Sequence, residues 1–171
     1  MRRHDKEILD HEQIIRVLEQ CRVINFAMHD GDYPYVQTMN FGFADKPDGL
    51  KLFFHGAGEG RTPDLLRRDN RVGFMIFRDL GEVIGRTVCT SDTVFESVCG
   101  FGDVHFLTDP AEVDEALRAI IRQSGDRRPD AFHPERFHGR LAVYRLDVKE
   151  YTCKAAKRDA VGIPFEQPAA N

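Results

Sequence analysis

The alternation of hydrophobic and polar positions along the chain predicts a helix, three strands, a short helix, two or three strands, a helix and a final strand. Apolar residues from Ile14 to Cys21 recur at steps of three and four, which predicts an amphipathic helix over 11–20. Asp10 precedes this segment and Gln13 follows three positions later, a pairing typical of a helix N-terminus. The first element is therefore expected to be a helix that buries one face.

Most of the remaining chain alternates short apolar runs with turn residues, which predicts strands. Gly100 and Gly102 interrupt the longest run, and glycine inside a strand often marks a bulge or a bend. Because turns rather than helices connect most runs, an antiparallel barrel is favoured over a doubly wound parallel sheet. The predicted strands cover 22–29, 33–43, 50–55, 72–77, 82–89, 94–107 and 141–151.

Two further helices have start signals in the sequence. Thr62 is expected to be the N-cap of one, with Pro63 at its first helical position and an end near Asn70. The pair Asp109-Pro110 is expected to start the other. No domain boundary is evident, so the sequence predicts one domain over 1–171, with an irregular connection at 125–139 and a flexible tail from about 160.

Composition excludes several classes of function. The 171 residues carry 24 basic and 28 acidic side chains, so a binder that relies on a basic field to hold nucleic acid is not expected. No apolar run is long enough for a membrane helix and no apolar segment follows the basic start, so a cytoplasmic protein is expected. The four cysteines are scattered, which favours reduced, mostly buried thiols and predicts neither disulfides nor a metal site.

The glycine-rich run Gly56-Ala57-Gly58-Glu59-Gly60-Arg61 is the most distinctive local feature. Glycines at alternate positions let a backbone approach a ligand closely, and the following helix N-terminus presents free N–H groups. Arg61 can form a fork onto phosphate oxygens, and Thr62 adds a hydroxyl. The run therefore predicts a phosphate-binding loop, with an ordinary glycine-rich turn between strand and helix as the alternative.

Neither common nucleotide motif fits this run. A dinucleotide fingerprint requires glycine where Arg61 stands, and a P-loop requires four residues between its glycines where 56–60 has three. None of the serines lies in the G-x-S-x-G pattern of a serine hydrolase. His55, beside the loop, is a candidate site residue, with a histidine that merely ends a strand as the alternative. Asn40 faces either a cavity or solvent.

Six segments of the chain, in this order and spacing, match the pattern of one known family. They are Met1-Arg2-Arg3, Pro34-Tyr35-Val36-Gln37-Thr38-Met39-Asn40-Phe41-Gly42-Phe43, Phe54-His55-Gly56-Ala57, Gly60-Arg61, Phe95-Glu96-Ser97-Val98-Cys99-Gly100-Phe101-Gly102 and Tyr144-Arg145-Leu146-Asp147-Val148. Together they resemble the pyridoxamine 5′-phosphate oxidase-like proteins, which bind FMN in a split barrel. The resemblance is closest to the branch of nitroimidazole-resistance proteins, and it extends over about residues 1 to 155.

This resemblance implies a mainly β fold with flanking helices, a six-stranded antiparallel split barrel. It further implies a homodimer with FMN at the interface. The backbone of 37–40 would border the flavin ring, His55 and Gly56 the ribityl chain, and Arg61 with Thr62 the phosphate. Glu96 and Ser97 would approach from the second subunit. The implied cofactor-binding residues are Gln37, Thr38, Met39, Asn40, His55, Gly56, Gly60, Arg61, Thr62, Glu96 and Ser97.

The implied activity is that of an FMN-dependent oxidoreductase. Hydride from NAD(P)H or a substrate would reach the flavin and pass to a small acceptor such as oxygen or a nitro compound, with no dedicated acid or base required. His55 is the one titratable side chain expected near the ring. Thr62 stands where the family usually has lysine, so one cation is lost at the phosphate.

Three alternatives to an FMN-dependent oxidoreductase remain open, two for the function and one for the cofactor. The first is a non-catalytic flavin or haem carrier or sensor, with His55 or His29 as a haem ligand. The second is a structural dimer without cofactor. The third concerns the cofactor itself, because the family also includes haem-binding and deazaflavin-binding members.

Overall fold

The computed structural model describes residues 6–85, 87, 91–125 and 141–156, and the structural statements below concern these. They form three helices and eight strands. Turns rather than helices connect most of the strands, as the apolar pattern predicts. The elements are β1 (Glu7–Ile8), α1 (His11–Gln20), β2 (Val23–Asp30), β3 (Tyr33–Asn40), β4 (Gly42–Lys46), β5 (Gly49–Ala57), α2 (Arg61–Arg68), β6 (Arg71–Val83), β7 (Asp92–Leu107), α3 (Pro110–Ser124) and β8 (Leu141–Ala156).

All described strands belong to one antiparallel sheet with the order β3-β2-β6-β7-β8-β5-β4, and β1 pairs with β8. The two edge strands, β3 and β4, are joined through the single buried residue Phe41. The sheet must therefore curl until its two ends meet. A Cβ built on Gly56 of β5 would lie 3.4 Å from Met39 Cε of β3. The barrel therefore closes between β3 and β5, which are in contact without being paired by backbone hydrogen bonds. The predicted mainly β split barrel is confirmed.

Two strand predictions need correction. The segment 33–43 forms two strands that break at Phe41, because the chain crosses there from one edge of the sheet to the other. The segment 82–89 was predicted as a separate strand, but Glu82 and Val83 continue β6 beyond an irregularity after Asp79. Residues 86 and 88–90 lie outside the described residues. With β1 added, the described strands number eight rather than six.

The barrel interior is filled by aromatic rings and closed by α1. Phe54 stands between Phe26 and Tyr144, with ring centroids at 4.8 and 5.2 Å. The apolar face of α1 is buried in the same core, as its periodicity predicts, and Asp10 caps the helix by accepting a hydrogen bond from the Gln13 amide at 2.8 Å. Residues 125–139 lie outside the description except Gly125, as does the predicted tail.

Helix α3 packs on the outer face of the barrel and also holds α1 in place. Asp109 caps α3 through the amides of Ala111 and Glu112, as its start signal predicts. At the other end, the buried Gln123 donates hydrogen bonds of 2.6 Å to the carbonyl oxygens of Leu18 and Cys21. This amide adds a partner to carbonyl groups at the end of α1, of which the Leu18 oxygen also accepts from the Cys21 amide at 3.1 Å. No helix among the described residues is long and apolar enough to cross a membrane.

The predicted glycine irregularity in β7 is confirmed. Opposite β8, the register moves from Phe101↔Glu150 to Gly102↔Val148, which leaves one extra residue in β8. A Cβ on Gly102 would lie 2.2 Å from the Asp147 carbonyl oxygen, so no larger residue fits without moving the strands. This bulge bends the sheet at a corner of the barrel.

The described cysteines are free thiols, two of them in the core. Burial raises the pKa of both Cys21 and Cys153 to about 11, and burial also raises the pKa of Cys99.

We expect iodoacetamide to alkylate Cys21 and Cys153 at pH 8 on the order of 100-fold more slowly than an ordinary thiol, because the thiolate is the reactive form. Time-resolved labelling with peptide mass spectrometry measures these rates. Fast labelling of the native protein, at the rates seen in urea, would contradict it.

Candidate functional site

The end of β5, the glycine-rich loop and the start of α2 form an open cradle. Gly60 has φ +117°, in the left-handed region that favours glycine, and a Cβ on Gly58 or Gly60 would meet nothing within 4 Å. Space for a ligand therefore lies directly beside the loop backbone. Helix α2 has no side-chain cap from any described residue, so within the described part of the chain the first-turn amides of Arg61 and Thr62 have neither a helical nor a capping partner.

The predicted start of α2 needs correction. The N-cap is Gly60 rather than Thr62, and the helix begins at Arg61. The Asp64 amide donates to the Gly60 carbonyl at 3.1 Å, which closes the first turn two residues earlier than expected. Pro63 is then the third helical residue, where its missing N–H is still one that the helix would leave unbonded. The earlier start puts Arg61 inside the first turn, where the helix dipole favours anions.

The Arg61 side chain extends from the first turn of α2 toward β2 and β3 and is 64% exposed. Its Nε and Nη2 both donate to Asp30 Oδ2, at 2.9 and 2.5 Å. Its guanidinium carbon lies 4.4 Å from the centroid of the Tyr35 ring. The hydrogen bonds from Arg61, joined by one from Arg68 at 3.4 Å, hold the pKa of the Asp30 carboxyl below its usual range.

Further arginines of α2 support the same region. Arg67 donates to the Gly58 carbonyl at 3.1 Å, and its guanidinium lies over the Phe106 ring at 5.2 Å. Arg68 donates to the His29 carbonyl at 3.0 Å. The two arginines thus tie α2 to the backbone of the glycine-rich loop and of β2.

Strand β3 contributes an edge of the barrel to the site. Tyr35, Gln37 and Met39 share one face, and the Tyr35 hydroxyl donates to Gln37 Oε1 at 2.9 Å. Thr38 and Asn40 lie on the opposite face, where Thr38 Oγ1 donates to the Asn25 side chain at 2.6 Å. Among the described strands, β3 pairs only with β2. Its other edge, toward β5, therefore offers backbone N–H and C=O groups to a ligand.

The structure gathers several of the predicted residues and separates others. Gly56 meets Met39 at the closure of the barrel, beside Gly60 and Arg61 along the chain. His55 is adjacent to Gly56 but shares the outward face of β5 with Phe53. Neighbouring atoms desolvate its ring and lower the pKa of His55, so the imidazole is neutral at pH 7.

Glu96 and Ser97 lie on β7, which β6 and β8 separate from β2 and β5 within the sheet. Glu96 Oε2 lies 3.7 Å from Arg78 Nε, and neither buried atom has a hydrogen-bond partner. Ser97 is buried and points to the opposite face from Glu96. Within one subunit, neither residue lies beside the cradle.

The outer surface of β3, β2, β6 and β7 is rich in exposed apolar side chains. The register aligns Val36, Ala27, Gly73 and Phe101 in one row across these strands. We call this surface the apolar face; its large apolar side chains, with their exposed fractions, are Val23 38%, Val36 58%, Met75 42%, Phe77 41% and Phe101 50%. A contiguous apolar surface of this kind is typical of a surface that another molecule covers.

The sequence alone did not indicate Asp30, Tyr35 or Arg67 as parts of this site. Asp30 reads as the first residue of a hairpin turn, and Tyr35 as an ordinary strand residue. Both meet Arg61 only because the barrel brings the end of β2 and the start of β3 beside α2. The one signal for the Asp30–Arg61 contact in the sequence was the acidic side chain of Asp30 at the end of a predicted strand.

Several solved structures are similar to this chain over most of its length. A crystal structure of a proposed 5-nitroimidazole antibiotic resistance protein from Bacteroides thetaiotaomicron is similar, with TM-score 0.71, 26% identity, and 87% of this chain and 86% of that chain covered. The FAD and haem binding protein from Mycobacterium smegmatis shares the fold, with TM-score 0.76, 15% identity and 97% and 91% coverage. So does a flavocytochrome from Azotobacter vinelandii, with TM-score 0.70, 19% identity and 100% and 88% coverage.

No curated protein sequence matches the chain. The sequence model of a family described as pyridoxamine 5′-phosphate oxidase does match it, over residues 10–155. This match spans α1 through the end of β8 apart from its last residue, and so includes the cradle and the apolar face. Together with the split barrel, it confirms the predicted family: the chain belongs to the pyridoxamine 5′-phosphate oxidase family.

Proposed function

We propose that the protein is an FMN-dependent oxidoreductase that reduces small acceptors such as nitro compounds. The observation that carries this proposal is the open cradle, where an uncapped helix start and the exposed Arg61 converge. Two amide N–H groups and a guanidinium suit a phosphate, because each offers donors and positive potential to the same oxygens. The similar structures named for flavin-binding proteins and for nitroimidazole resistance support the same conclusion.

The residues present fit the phosphate end of FMN. Thr62 replaces the cation usual in the family, but two further arginines lie on the same helix: Arg67 contacts the loop backbone at Gly58, and Arg68 contacts Asp30, the partner of Arg61. The phosphate would accept hydrogen bonds from the amides of Arg61 and Thr62, and the ring would lie along the unpaired edge of β3. Bound FMN supplies hydride acceptance and donation. The protein binds the cofactor and orients it.

The apolar face suits a second copy of the chain. A symmetric dimer through this surface would bury Met75, Phe77 and Phe101 of each subunit. Ser97 lies on the same side of β7 as Phe101, so in this dimer the Ser97 of each subunit would lie at the interface. Glu96 faces Arg78 instead, so its proposed approach to the cofactor requires that its ion pair with Arg78 opens.

The identity of the cofactor and its site are tested together. We expect the purified protein to release FMN on heating, identified by chromatography, and Arg61→Ala to weaken FMN affinity about 10- to 100-fold through loss of a charge-assisted contact. Riboflavin, which has no phosphate, is expected to bind both proteins alike. Arg71→Ala is the matched control, because Arg71 is an exposed arginine paired with Asp69 beyond the other end of α2.

Each other outcome favours a different interpretation. An unchanged FMN affinity in Arg61→Ala would contradict the phosphate site. A Soret band would favour a haem protein with a histidine ligand, and a colourless protein that ignores added FMN would favour a dimer without cofactor. If FMN binds but no acceptor accelerates NAD(P)H oxidation, the carrier or sensor alternative is correct.

A further inference from the structure

We propose that Asp30 is a positioning residue, which sets the Arg61 guanidinium to receive the cofactor phosphate. This inference rests on the proposed FMN site. Asp30 is the last residue of β2, and its side chain is only 20% exposed although it lies at a hairpin. It accepts hydrogen bonds from two arginines of α2, Arg61 and Arg68, which come 31 and 38 residues later in the chain.

The geometry of the Arg61–Asp30 pair determines which donors remain. Arginine has five N–H groups on a planar fork, and four of them form two edges that can each donate two parallel hydrogen bonds. The bonds to Asp30 use the side edge, made of Nε and one hydrogen of Nη2. The end edge, made of Nη1 and the other Nη2 hydrogen, has no hydrogen bond to any described residue. This end edge can bind a phosphate with two parallel bonds.

Two further contacts restrict the guanidinium plane. The Tyr35 ring covers one face at 4.4 Å, and the Tyr35 hydroxyl is itself fixed by its bond to Gln37. With one edge on Asp30 and one face on Tyr35, Arg61 loses the rotamer freedom that an exposed arginine normally has. Binding of the phosphate then costs less conformational entropy, which is how preorganisation raises affinity.

A carboxylate beside a phosphate site has an opposing effect, because its negative charge repels the ligand. Contacts with Arg61 and Arg68 offset the charge of the Asp30 carboxylate, and water around the exposed Arg61 screens the repulsion that remains. The two-bond geometry to Arg61, in contrast, acts at short range. The positioning effect is therefore expected to be the larger. The two effects predict opposite signs for Asp30→Asn, which makes them separable by experiment.

The test measures FMN and riboflavin affinity by flavin fluorescence with the full-length protein. Asp30→Asn is expected to weaken FMN binding about tenfold, which corresponds to roughly 1.4 kcal/mol, and to leave riboflavin binding unchanged. Asp32→Asn is the matched control, an exposed aspartate in the same turn. In an Arg61→Ala background, Asp30→Asn is expected to cause no further loss. Thermal melts of each apo variant establish that it folds, and Asp30→Glu, with a smaller expected loss, substitutes if Asp30→Asn does not.

The outcomes distinguish an error in the positioning role of Asp30 from an error in the proposed FMN site. If Arg61→Ala does not weaken FMN binding, the proposed phosphate site itself is wrong. If Arg61→Ala weakens binding but Asp30→Asn leaves it unchanged or strengthens it, only the positioning role is overturned. Equal losses of FMN and riboflavin in Asp30→Asn would also overturn it, since they would indicate a general structural effect.

Discussion

Gly42→Ala is expected to destabilise the protein by about 3 kcal/mol or more, near the upper end for an overpacked site. A Cβ at this position would lie 2.3 Å from the Ala119 carbonyl carbon, 2.4 Å from the Ile120 nitrogen and 2.6 Å from the Ala119 oxygen. All three atoms belong to the backbone of α3, so no side-chain rotation relieves the clash. Either the helix or β4 must move away, and the apolar contacts between them are then lost.

Urea unfolding measures this loss, and the melting temperature is expected to fall by roughly 6–12 °C for a chain of this size. Gly58→Ala is the control, because its new Cβ would meet nothing within 4 Å and its φ is not in the left-handed region. The control is expected to change stability by less than about 0.5 kcal/mol. Equal stabilities of the two variants would show that α3 does not approach β4 so closely.

The sequence predicts those parts of the fold that depend on local chemistry. Asp10 and Asp109 cap their helices because the signal and the structure it forms lie within three residues. The break at Phe41 is different, because Phe41 continues the alternation of a strand although Asn40 and Gly42 flank it. It arises because a curled sheet must pass the chain from edge to edge, which is a property of the whole barrel.

The same distinction applies to the candidate site. The loop of glycines and Arg61 is contiguous, so its shape and donors can be inferred from the sequence. The Asp30 contact depends on the relative placement of β2 and α2, and the apolar face depends on the register of four strands. Glu96 and Ser97 require a second subunit, so their roles stay predictions.

Met75→Glu is expected to convert a dimer into a monomer, with at least a 1,000-fold weaker association. Met75 lies near the centre of the apolar face, between Asn25 on β2 and Cys99 on β7. In a two-fold interface the substitution occurs twice, and each unpaired buried carboxylate costs several kcal/mol, so about 4 kcal/mol in total is a low estimate. Sedimentation across a range of protein concentrations measures the association.

FMN affinity should fall with the dimer, because the proposed cofactor site draws on both subunits. Leu9→Glu is the matched control, since Leu9 is 82% exposed and lies between β1 and α1, outside the apolar face. It is expected to leave both association and FMN binding intact. A wild-type protein that sediments as a monomer at every concentration would contradict the proposed interface. A Met75→Glu dimer with normal FMN affinity would instead mean that the subunits associate through another surface.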